Sequence, residues 1–162
     1  MLTTPIGVGE ILLGEFIWVG LKGALMVTFV SAFLALFGLF HDLSYFPLVP
    51  LVGLLIALPI GAMGLLSSCY VKNINQFQTV YAFLISPIYF FSGIFFPIQQ
   101  MPESLQWIAT VSPLYHGVKF AQAVFWGRDL GYAFATNVPV LILFSAVLLV
   151  WARFELRKKL QA

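Results

Sequence analysis

Apolar positions dominate this chain in long unbroken stretches, and the few charges fall between them. No Asp, Glu, Lys or Arg occurs in the 29 residues between Asp42 and Lys72, the 30 between Lys72 and Glu103, or the 23 between Asp129 and Arg153. A hydrocarbon core of about 30 Å is crossed by about 20 apolar residues of helix. The pattern therefore predicts an all-α, polytopic helical membrane protein, a single membrane domain over residues 1–162. Four spans are expected, at about 16–40, 46–71, 77–96 and 132–152, and residues 153–162 form a tail.

Residues 1–15 are more polar. Thr4-Pro5 is a helix-start signal, a hydroxyl N-cap before a proline at the first helical position. Leu12 and Leu13 interleave with Gly9, Glu10, Gly14 and Glu15, which fits either a short amphipathic helix at the membrane interface or on a partner, or a frayed entry to the first span. In the first span Gly20, Gly23 and Ala24 make a small-residue face that admits another helix closely. Pro59 lies in the middle of the second span and predicts a kink, with Gly61 and Gly64 loosening the same turn.

The segment 99–131 is too polar to span and too apolar for a free loop. Pro102-Glu103 and Ser112-Pro113 each begin a short helix, giving an interfacial or re-entrant pair. In the second, Leu114, Val118, Ala121 and Phe125 recur at helical spacing and predict its buried face. Trp107, Tyr115, Trp126 and Tyr132 suit an aromatic belt.

Composition agrees with a bilayer protein: 61% of residues are hydrophobic and 9% charged, against about 25% charged in soluble domains. The net charge of +2 is too small to draw nucleic acid, so no nucleic-acid partner is expected. Arg153, Arg157, Lys158 and Lys159 follow the last span, and positive-inside asymmetry puts the tail in the cytoplasm. Four spans then place the N-terminus in the cytoplasm too, with segment 99–131 outside, in a plasma (inner) membrane.

Chemistry is sparse. The single cysteine, Cys69, reads as a packing residue. No GxxxxGK[ST], HExxH, CxxC or GxSxG pattern is present, so neither catalytic nor metal-binding residues are expected. Ser67, Ser68 and Cys69 lie at the opposite end of the spans from His41 and His116, which argues against an intramembrane enzyme. His116 is expected to act as an interfacial hydrogen-bonding residue.

The stretch from Ser86 to Trp126 resembles the type-2 ATP-binding-cassette (ABC) exporter permeases, including Nod-factor, polysaccharide and drug export permeases. The resemblance rests on SGIFFP (Ser92 to Pro97), Met101-Pro102, and SPLYHGV (Ser112 to Val118), with ILLGE (Ile11 to Glu15) near the start. It implies a permease subunit that moves an amphiphilic, glycan-lipid or drug-like substrate out of the cytoplasm. A separate ABC ATPase would supply ATP and Mg, with no cofactor bound by this chain, and a second permease subunit would complete the pore. By resemblance, Thr4, Pro5, Gly9, Glu10, Leu12 and Gly14 form the coupling helix. Gly93, Pro97, Met101, Pro102, Pro113, Tyr115 and His116 form the outer gate. The resemblance also implies that the chain is the C-terminal portion of such a permease, without its first two helices. The alternative is a four-helix membrane scaffold or assembly protein without transport activity.

Overall fold

The structure, a computed structural model, describes residues 7–40, 42–71, 73–95, 98–100 and 102–161. Nearly all of these residues are helical. Helix α1 runs from Val8 to Leu36, and Glu10 Oε2 accepts the Gly7 backbone N–H at 3.2 Å to close its first turn. It is continuous through residue 15, where the sequence pattern suggested a separate interfacial helix. Gly9 and Gly14 each weaken a helix by about 1 kcal/mol, but no proline interrupts the backbone hydrogen bonds and the ladder continues. At the other end Gly38, at φ 68°, lets the Leu39 N–H reach back to the Leu34 carbonyl at 3.0 Å. That left-handed turn ends the helix before the expected boundary at residue 40.

A 3-10 turn, Leu43–Leu48, leads into α2, Val49–Tyr70. Asp42 caps the turn by accepting the Ser44 N–H at 2.9 Å. Helix α3 (Ile74–Val80), a π turn (Tyr81–Ile85) and α4 (Ser86–Phe90) form one rod. In the π turn the Ser86 N–H donates to the Tyr81 carbonyl, five residues back. Pro87 explains the position, because a regular helix would drive its ring into the carbonyl four residues before it. After a 3-10 turn at Ile98–Gln100 come α5 (Glu103–Val111), α6 (Pro113–Trp126) and α7 (Leu130–Gln161).

Among the described residues three helices are long and apolar enough to cross a membrane: Gly9–Leu36, Leu43–Tyr70 and Leu130–Lys158. The expected span at 77–96 is not one of them. Its rod ends at Phe90, where Phe91, Ser92 and Gly93 turn, and Gly93 takes φ 81°. From Ile74 to Phe90 the rise is about 25 Å at 1.5 Å per residue, short of the hydrocarbon thickness.

The tightest packing is between α1 and α2. A Cβ on Gly53 would lie 2.5 Å from the Gly23 carbonyl oxygen and 2.9 Å from Ala24 Cα, so the two backbones touch. The small-residue face of α1 thus receives α2, as small residues do where helices meet in lipid. Gly61 belongs to the same seam: a Cβ there would stand 2.5 Å from Val19 Cγ1. Its role is close packing, not the loosening of the turn after Pro59. Pro59 itself is fully buried inside a continuous α2.

The core lies where α2, α6 and α7 converge, through Val49, Val52, Leu55, Phe120, Val124 and Leu141. Helix α6 buries Leu114, Gly117, Phe120 and Val124, a face turned from the expected Leu114, Val118, Ala121, Phe125 stripe. Gly117 supplies the reason. A Cβ there would meet Ile56 Cγ1 at 2.8 Å, so the helix turns its one residue without a side chain toward α2. At the far end, Cys69 is buried as a packing residue, with its Sγ 3.8 Å from the Ala152 carbonyl.

Candidate functional site

The residues assigned to coupling separate into two groups. Thr4 and Pro5 lie outside the described residues. Glu10 and Gly14 are exposed at the start of α1, and a Cβ on Gly14 would meet nothing within 4 Å. Leu12 points the other way, only 5% exposed. With Leu13, Leu149, Val150 and Arg153 it lines a cavity of about 100 Å³ against α7. Gly9 faces the same helix, since a Cβ there would sit 3.6 Å from the Arg153 guanidinium. Leu12 and Gly9 therefore dock α1 on α7, while Glu10 and Gly14 present the free surface.

The residues assigned to the outer gate gather around α5 and α6; Pro97 and Met101 lie outside the described residues. Pro102 precedes α5 at φ −53° and ψ 145°. Pro113 is buried at the first position of α6, following Ser112 as N-cap. The Ser112 hydroxyl makes no capping bond, although the sequence suggested one. Gly93 packs against Ile98, at 3.2 Å from a virtual Cβ to Ile98 Cδ1, and its positive φ turns the chain from α4 toward α5.

His116 is the joint of this region. Its Nε2–H donates to the Thr110 carbonyl at 2.9 Å, and its Nδ1 lies 2.9 Å from the Asn137 Oδ1. Asn137 in turn donates through Nδ2 to the Ala133 carbonyl at 2.8 Å. One imidazole so ties α5, α6 and α7 together. Asn137 is 7% exposed and was missed as a functional residue by sequence reasoning. The available signal was a lone amide inside an uncharged stretch, where a buried polar group demands a partner.

Tyr115, one residue before His116, carries the Lys119 ammonium 5.8 Å from its ring centre. Both line a cavity of about 480 Å³ between α6 and the start of α7. A second cavity of about 220 Å³ lies on the other side of Tyr115 and is bordered by Ser92, Gly93 and Ile98. Ser92 and Gly93 of the first motif thus share a cavity with Tyr115 of the second.

Comparison with known proteins shows the family. The pattern of the ABC-2 type transporter family matches residues 1–126. Nodulation protein J of Rhizobium leguminosarum bv. viciae is 26% identical over 160 residues, covering 99% of this chain and 61% of that protein. The Rhizobium meliloti (strain 1021) protein of the same name is 24% identical over 160 residues, with 99% and 60% covered. That of Neorhizobium galegae is 29% identical over 134 residues, with 80% and 49% covered. The chain spans 49% to 61% of the length of these relatives. No solved structure matches it. With the family pattern over most of its length and long apolar helices beneath it, the chain belongs to the ABC-2 type transporter family, as a multi-pass membrane component.

Proposed function

We propose that this chain is the permease part of an ABC exporter, which carries an amphiphilic, glycan-lipid or drug-like substrate out of the cytoplasm while a separate ABC ATPase subunit hydrolyses ATP. The family pattern over residues 1–126 carries this reading. In it both termini face the cytoplasm of a plasma (inner) membrane, and the rod α3–α4 is a fourth, shorter crossing. Exposed Glu10 and Gly14 offer the ATPase a docking surface. The rod buries no residue along its helices, and Ile74 and Phe83 are 80% and 81% exposed. A rod that is bare along its helices suits contact with a second permease subunit. Helices α5 and α6 close the outer end, with His116 holding them to α7.

The test is capture of an ABC ATPase by the protein, followed by ATP-dependent export from reconstituted vesicles. Gly14→Trp, on the open face of α1, should reduce ATPase capture at least tenfold without lowering the yield of folded protein. Undiminished capture by this variant would remove the coupling role from the start of α1. Absence of any ATPase from the parent complex would favour the scaffold reading.

A further inference from the structure

The cavity between α6 and the start of α7 has a depth in the membrane, a size and a lining that the export reading does not use. The 23 uncharged residues between Asp129 and Arg153 rise about 35 Å as helix, slightly more than a hydrocarbon core of about 30 Å. Arg128 and Asp129 therefore stand at one edge of that core, in the layer of lipid headgroups. Trp126 and Tyr132, 57% and 75% exposed, flank them as aromatic residues do at this depth. The cavity of about 480 Å³ is lined there by Lys119, Arg128, Asp129, Tyr115, Trp126 and Tyr132. No salt bridge joins these three charged side chains to one another among the described residues. Two cations, one carboxylate and three aromatic rings thus share one open cavity.

We propose that this cavity binds the headgroup of a zwitterionic phospholipid, one that carries a phosphodiester and an ammonium together. Lys119 and Arg128 take the phosphodiester by charge-assisted hydrogen bonds. Asp129 and the aromatic faces take the ammonium, by ion pairing and by cation–π attraction. A purely anionic headgroup offers Asp129 and the aromatic faces no ammonium, which sets the selectivity. Headgroup binding is independent of whether the protein exports anything. It needs only the bilayer.

The experiment uses the full chain, delipidated in detergent and titrated with phosphatidylethanolamine or phosphatidylglycerol of matched acyl chains, with bound lipid counted by native mass spectrometry. Phosphatidylethanolamine should be retained about tenfold more tightly, the equivalent of one good charged contact. Asp129→Asn should bring the two lipids to about equal affinity, and asparagine tolerates the φ of 50° found there. Lys119→Gln with Arg128→Gln should weaken both lipids together. Equal retention of both lipids by the parent overturns the proposal. So does a preference that persists in Asp129→Asn, or lipid retention unchanged in the double variant.

Discussion

Replacing Gly53 by alanine tests the claim that α1 and α2 are held by backbone contact. The new methyl group would lie 2.5 Å from the Gly23 carbonyl oxygen and 2.9 Å from both Ala24 Cα and Val27 Cβ. These neighbours belong to backbone or to a β-branched side chain, and none can swing away. Ordinary contact distances would be restored only by moving the helices apart by about 1 Å, and overfilling of this kind costs about 1–3 kcal/mol. Alanine returns up to about 1 kcal/mol through its better helix propensity, which leaves a net loss of up to about 2 kcal/mol. Gly64 provides the control on the same helix, because a Cβ there meets nothing within 4 Å. Gly64→Ala should gain as much as about 1 kcal/mol; because that propensity gain is common to both changes, the two variants should differ by the overfilling cost, about 1–3 kcal/mol. For a chain of this size that is a gap in Tm of roughly 2–12 °C, measurable by thermal unfolding in one detergent. A Gly53→Ala protein that melts with or above Gly64→Ala would refute the close seam.

Three further perturbations probe other parts of the structure. Leu12→Ala should cost about 2–5 kcal/mol, by enlarging the cavity against α7. ATPase capture should then fall only as far as the folded fraction falls, and a specific loss of capture at full stability would return Leu12 to the docking surface. Asn137→Ala removes the amide that meets His116 and should lower stability by about 0.6–1.7 kcal/mol, the range found for side-chain hydrogen bonds between membrane helices. In a double-mutant cycle with His116→Ala the two losses should not add, whereas simple additivity would show that the pair is uncoupled. Pro87→Ala should let the π turn at Tyr81–Ile85 revert to regular helix and rotate the preceding residues by about 100°. Single cysteines at Phe77 and Gln78 should then exchange their labelling rates, and an unchanged pattern would detach the π turn from Pro87.

Some features were legible in the residues because local chemistry suffices for them. Long uncharged stretches have no folded home in water, so the membrane class and the helical content followed from the spacing of the charges. The starts of α5 and α6 followed from Pro102-Glu103 and Ser112-Pro113, where a proline fixes the backbone whatever surrounds it. Tyr115 and His116 stand out in the sequence, and the structure places both on α6. His116 was read as a hydrogen-bonding histidine, and its ring does hydrogen-bond.

The orientation of helices was another matter. In a soluble helix the apolar stripe marks the face that leaves water, but lipid is as apolar as a protein core. An apolar pattern on a membrane helix therefore says little about which face meets a neighbour. The buried side of α6 was decided by Gly117 against Ile56, Leu12 was turned inward by α7, and Gly61 was fixed by Val19. Asn137 could be recognised as a joint only once α5 and α6 were seen to bring His116 to it. The sequence alone determined that this protein is a set of apolar helices in a bilayer. Its tertiary structure decided how they fit together, because helix packing in lipid is governed by the shape of small residues and the pairing of rare polar ones, neither of which periodicity records.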